Sequence, residues 1–235
     1  MREEELMARA ALWRRRLDEA SAGRGPVEIC AATKTQTPET INLLPRCGIT
    51  HIGENRVQEL REKASLLNPS FAVDMIGHLQ TNKVKYIVGL VERVQSVDSL
   101  ELAEALSSRF EAAGGNLKVF IQVNIAGEKQ KFGVAESEVF PLARRIAALP
   151  ALSLEGLMAI MPISPDPEAL RPLFRRMRQL FDRLSEESFR GPEFRHLSMG
   201  MSSDCLVAAQ EGATMVRLGT ALFGAREAAG RKETH

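Results

Sequence analysis

Short runs of apolar residues alternate along the chain with longer stretches in which apolar residues recur every three or four positions. The short runs are Val27–Thr33, Ile49–Gly53, Phe71–Ile76, Arg93–Val97, Leu117–Asn124, Leu154–Met161, Phe194–Ser198 and Met215–Gly219. Their length and β-branched content predict eight buried strands, and the stretches between most of them predict helices. Asp98-Ser99-Leu100-Glu101 reads as a capping box that opens one helix, and Gly114-Gly115 as its stop. Thr37-Pro38 opens another, with a hydroxyl cap followed by proline at the first helical position.

Ahead of the first strand, Leu6, Ala10, Trp13 and Leu17 fall on one face of an amphipathic helix over about residues 4–22. Its mixed-charge outer face suits a helix that covers the end of a core. Strands separated by helices must run parallel, because each crossover returns the chain to the same edge of the sheet. Eight such units predict a closed (β/α)₈ barrel, with a doubly wound open sheet as the alternative. No segment rich in Pro, Gly or Ser divides the chain, so one domain is expected over residues 1–235. Its barrel would span about 27–226, with a polar tail at 227–235 that frays.

Composition narrows the function. With 31 Lys+Arg against 30 Asp+Glu the net charge is +1, and aromatic residues make up 5%. Neither a basic field nor aromatic platforms for nucleic acid are present. Hydrophobic residues at 44% and charged residues at 26% are those of a soluble globular protein. No apolar run approaches the ~18 residues of a membrane span, and the acidic Met1-Arg2-Glu3-Glu4-Glu5 start is unlike a leader, so a cytoplasmic protein is expected. Cys30, Cys47 and Cys205, odd in number and far apart, fit a reducing compartment.

In a parallel barrel the loops after the strands build the site. Lys34 ends the first run. Counting back by two gives the small residues Ala32 and Cys30 on its face, which leaves room for a ligand above them. A partly desolvated lysine can condense with an aldehyde, although lysines in loops are mostly solvated and the spacing leaves that alternative open. Ser198-Met199-Gly200-Met201-Ser202-Ser203-Asp204 and Arg217-Leu218-Gly219-Thr220 end the seventh and eighth strands with glycine and hydroxyls at helix starts, a chemistry that suits phosphate. Arg217 shares an inward face with Met215 and Gly219 and needs an acceptor, either a carboxylate or the ring nitrogen of a heteroaromatic ligand.

His51, Glu54, Asn55, His78, Gln80, Asn82, Gln122 and Asn124 also fall near strand ends. With no HxH pair or HExxH, they suggest no metal site, and His51 and His196 read as hydrogen-bonded barrel histidines.

Together with Ala31-Ala32-Thr33-Lys34-Thr35, His51 to Glu59, Ile76 to Lys83 and Gly212 to Gly224, these motifs resemble the pyridoxal phosphate homeostasis proteins from about Val27 to Arg226. The resemblance implies a barrel like the N-terminal domain of alanine racemase, with pyridoxal 5′-phosphate (PLP) held as an aldimine on Lys34. It gives Ser198, Ser202, Gly219 and Thr220, with the backbone around Met199, Gly200 and Met201, to the phosphate. Arg217 would meet the pyridine nitrogen, and Asn55 and Met158 would line the ring. It further implies a monomer that stores, buffers or delivers the cofactor to PLP-dependent apo-enzymes without turnover of its own. The alternatives are an amino-acid racemase lacking a second domain and a Schiff-base aldolase. The sequence departs from the family pattern at Gln36, where many relatives carry a second lysine, and at Cys205-Leu206, in place of an aromatic-acidic pair.

Overall fold

The computed structural model describes residues 2–187 and 194–224; the tail expected at 227–235 lies outside them. Eight parallel strands close into a barrel in sequence order: β1 (Glu28–Ala32), β2 (His51–Glu54), β3 (Ala72–Met75), β4 (Arg93–Val97), β5 (Leu117–Val123), β6 (Leu152–Ala159), β7 (His196–Met201) and β8 (Met215–Leu218). β1 meets β8 with Cys30 opposite Arg217, and β2 with Cys30 opposite His51. The open-sheet alternative is therefore set aside.

Helices follow most strands: α2 (Pro38–Ile41), α3 (Val57–Lys63), α4 (Leu100–Ala112), α5 (Val139–Ala147), α6 (Arg171–Ser185), α7 (Cys205–Gln210) and α8 (Thr220–Phe223). A 3₁₀ helix at Thr81–Tyr86 takes the crossover from β3 to β4. The N-terminal α1 (Glu3–Ser21) buries Leu6, Ala10 and Leu17. It packs along α7 and α8 in the outer layer, which corrects the expectation that it covers an end of the core. The opening of α4 also differs. Ser99 is the cap and accepts the Leu102 amide at 3.2 Å, so the third helical position holds leucine and no carboxylate returns the bond.

Two packed regions result. One lies between strands and helices and includes Ile29, Val94, Phe174 and Leu218. The other fills the barrel with Cys30, Ile76, Phe120, Met158 and Met215, and Ala32 packs against it. Residues of one parity along each strand face the helices and those of the other face the barrel axis. This alternation places both Lys34 and Arg217 over the interior.

Candidate active site

Lys34 stands one residue beyond buried Thr33 and is itself exposed, lining a cavity of about 280 Å³ at the C-terminal mouth of the barrel. Its two neighbours are held. Thr33 donates its amide to Gly53 O at 3.0 Å and its hydroxyl to Glu54 Oε1 at 2.7 Å. The Lys63 ammonium, buried under the loop, donates to Thr33 O at 3.0 Å, Glu54 Oε1 at 3.1 Å and Glu59 Oε1 at 2.6 Å. Thr35 sits in the left-handed region at φ 65° and donates its amide to Glu59 Oε1 at 2.5 Å. Burial pushes the Glu54 carboxyl up, against the pull of Thr33 and Lys63.

Arg217 closes the floor of the same cavity. It is 4% exposed, and burial pushes its guanidinium down to about 10, which still leaves it charged near neutrality. Nη1 donates to Ser198 O at 3.0 Å and to Ser198 Oγ at 2.7 Å, and Nη2 to Ala159 O at 2.7 Å. These acceptors are neutral, so the carboxylate alternative does not hold. Three bonds also leave two of the five guanidinium donors without a protein partner, on a residue that lines the cavity.

Beneath Arg217 the hydrogen bonding continues down the barrel. Ser198 Oγ donates to Gln95 Oε1 at 2.7 Å, and Gln95 Nε2 donates to Asp74 Oδ2 at 2.5 Å. Arg93 Nη1 joins the same carboxylate oxygen at 3.3 Å. All five side chains are buried.

The remaining wall comes from the β7 and β8 loops. Ser202 Oγ accepts the Gly219 amide at 3.3 Å and the Ala221 amide at 3.1 Å, tying the two loops together. Gly200 has φ 92°, and a Cβ there would stand 2.6 Å from Ala208 Cβ, so only glycine lets β7 turn into α7. On the opposite wall, a Cβ on Gly77 would meet Asn55 O at 2.2 Å, a close approach that brings the β3 loop against Asn55.

Of the eleven residues read from sequence, Lys34, Asn55, Met201, Ser202, Arg217, Gly219 and Thr220 line this cavity together. The other four are placed differently. Ser198 and Met158 pair with each other across β6 and β7, fully buried one layer below, and Ser198 serves Arg217. Met199 faces the helices. Gly200 shapes the turn, and the Met201 amide is spent on Asp204 Oδ1 at 2.6 Å. Sequence reasoning missed Ile76 and Ile160 in the lining, and named Ser203 only within the hydroxyl-bearing loop after β7, without a role of its own. It also missed Gln95, Asp74, Glu59 and Lys63 behind it; the four-residue spacing of Glu59 and Lys63 was the available signal.

Two of the histidines also lie elsewhere. His51 and His196 open β2 and β7 and therefore sit at the far end of the barrel, where His51 Nε2 and Glu28 Oε1 are 2.8 Å apart. His78 is at the mouth, stacked on Phe132 with centroids 3.7 Å apart. Among the described residues no three His, Cys, Asp or Glu side chains form a group that could hold a metal.

The alanine racemase N-terminal domain family matches residues 11–227. A pyridoxal phosphate homeostasis protein of Aquifex aeolicus is 42% identical over 209 residues, 88% of this chain and 91% of that protein. Its counterpart in Escherichia coli is 37% identical over 211 residues, 87% of this chain and 89% of that one. PipY of Synechococcus elongatus, solved with PLP bound, superposes with TM-score 0.82 at 31% identity, over 93% of this chain and all of PipY. An alanine racemase of Clostridium difficile shares the fold, with TM-score 0.74 at 15% identity; the match covers 94% of this chain but 58% of the racemase.

Proposed function

Since the chain belongs to the pyridoxal phosphate homeostasis protein family, on the barrel of the alanine racemase N-terminal domain, we propose that it binds PLP reversibly and serves cellular homeostasis of that cofactor without turning over a substrate. The cofactor supplies a reactive aldehyde on a pyridine ring that carries a phosphate ester. The cavity's donors fit those parts: an amine at one edge, amide and hydroxyl donors at another, and unspent guanidinium N–H groups at the floor.

Lys34 is the amine that captures the aldehyde. The Ser202 hydroxyl and Thr220, where two loops meet at the start of α8, receive the phosphate; Gly219, whose amide is given to Ser202 Oγ, shapes the loop, and Ser203 lies beside them. Asn55 and Ile76 border the ring. The free donors of Arg217 meet the ring nitrogen and keep it unprotonated, because a fixed cation opposes a second positive charge. An unprotonated ring is a poor electron sink, which restrains carbanion chemistry.

One observation supports the carrier reading over an enzyme. Among the described residues, the titratable side chains that line the cavity are Lys34 and Arg217 alone. A two-base racemase needs an acid/base on the far side of the substrate carbon, and an aldolase needs one to move protons on its substrate. Tyr86, the one tyrosine, lines a different cavity. The Ser198 and Met158 roles given by the resemblance become supporting ones: Ser198 orients Arg217, and Met158 packs in the layer below.

Exchange of α-protons in deuterated water, followed by NMR over a panel of amino acids, tests this reading. Loaded protein is expected to exchange no faster than an equal concentration of free PLP. Faster exchange that disappears in Lys34→Ala would make the protein an enzyme. Transfer of bound cofactor to an added apo-enzyme, expected in a cytoplasmic carrier, is read from the return of that enzyme's activity.

A further inference from the structure

The barrel mouth carries a second concavity, of about 380 Å³, bounded by the β2–α3 loop, α3 and the Thr81–Tyr86 helix. It shares Asn55 with the cavity of Lys34 but not Lys34 itself. At its wall the Tyr86 ring is surrounded by three cations: Arg61 Cζ lies 4.7 Å from the ring centroid, Lys85 Nζ 4.9 Å and Lys83 Nζ 5.7 Å.

Several arginines elsewhere on the surface find carboxylates. Arg46 meets Glu3 at 2.7 Å, Arg145 meets Glu104 at 3.3 Å and Arg176 meets Glu136 at 2.7 Å, while Arg171 and Arg175 share Glu211 at 2.8 and 3.1 Å. The three cations around Tyr86 differ from these. No carboxylate among the described residues forms an ion pair with Arg61, Lys83 or Lys85, and no Asp or Glu lines the cavity. The nearby Glu59 carboxylate is spent on Lys63 and the Thr35 amide. One aromatic face offsets only part of the repulsion among three like charges.

We propose that this concavity is a second anion site, separate from Lys34, that takes a small molecule bearing a phosphate group. A dianionic phosphate balances both Arg61 and Lys83, which line the cavity, where a single carboxylate balances one. The phosphate oxygens also suit the fork of Arg61 and the point charge of Lys83, the two of these cations that line the cavity itself. Its position beside the mouth allows two sources of that group: a free phosphorylated metabolite, or a phosphorylated vitamer on its way to or from Lys34.

Isothermal titration of the full chain with inorganic pyrophosphate tests the site. We expect saturable binding that persists in Ser202→Ala/Thr220→Val and weakens about tenfold or more in Arg61→Ser/Lys83→Ser, from loss of charge-assisted hydrogen bonds. Both of the latter side chains are exposed, so the thermal melt should be unchanged. Absence of saturable binding, or binding that Arg61→Ser/Lys83→Ser leaves intact, overturns the proposal. Competition identifies the source. Pyridoxine 5′-phosphate, which lacks the aldehyde, displaces pyrophosphate if the vitamer is the ligand; glucose 6-phosphate alone displaces it if a metabolite is. Failure of PLP to react with Lys34 would be read separately and would leave this result standing.

Discussion

The amide of Thr35 donates to Oε1 of Glu59 at 2.5 Å, and this bond holds the residue after Lys34 at φ 65°. A β-branched residue in the left-handed region costs roughly 1–2 kcal/mol, so the loop keeps its shape because α3 clamps it. Lys63 ties the same Glu59 oxygen to Thr33 O, on the other side of Lys34. The amine is thus carried between two fixed points.

Removing the clamp should loosen the amine. Glu59→Ala is expected to lower stability by about 1–2 kcal/mol, since it frees a strained amide and removes one partner of a half-buried lysine pair. It should also slow the reaction of Lys34 with PLP, followed as growth of the visible band. Thr35→Gly in that background should recover part of the stability, because glycine adopts positive φ freely. Equal rates in Glu59→Ala and the unaltered protein would remove Glu59 from the positioning of Lys34.

The chain Arg217, Ser198, Gln95, Asp74 makes a second prediction. Gln95→Leu leaves the Ser198 hydroxyl without its acceptor and the Asp74 carboxylate without one of its donors, at a cost of about 1–3 kcal/mol each. With Ser198 Oγ free to turn, Arg217 keeps its bonds to Ser198 O and Ala159 O but loses the fixed third one. PLP should then be retained less tightly, and its absorption band should move as the ring nitrogen gains protons at neutral pH. An unchanged band in a folded Gln95→Leu protein would contradict the relay.

At the far end of the barrel the two histidines respond to pH in opposite directions. The Glu28 carboxylate beside His51 raises its pKa, so that contribution is complete below the ordinary histidine range and is lost as pH rises through the raised value. Burial and the Arg93 guanidinium push His196 down to about 4 from 6.5. Between those values the unfolded chain binds a proton that the folded chain does not, so stability falls as pH drops from 6.5 to about 4. His196→Gln should flatten that decline in denaturant midpoints measured at pH 7 and pH 5. A decline of the same steepness would assign it to other groups.

The barrel was legible in the sequence because a parallel strand buried on both faces writes an apolar run, and eight such runs appear in order. Lys34 and Arg217 were legible because strand parity fixes the face of a side chain. The resemblance gave Ser198 and Met158 to the cofactor, and strand parity, which does not give depth, could not correct it. They pair with each other, and Ser198 also pairs with Met215, in one layer beneath Arg217. His51 was misplaced because its apolar run begins at Ile49 while pairing begins two residues later. That offset moves His51 to the start of β2 and makes Glu54 its buried last residue. Gln95 and Asp74 left no sequence signal, since their partners are far away in the chain and only the closed barrel brings them together.

The central claim is tested most directly by incubating the protein with PLP, reducing it with borohydride and mapping the product by peptide mass spectrometry. One pyridoxyl group per chain, fixed on Lys34 and absent in Lys34→Ala, is the predicted result. A modification spread over surface lysines, with Lys34 unmodified in a folded protein, would contradict it.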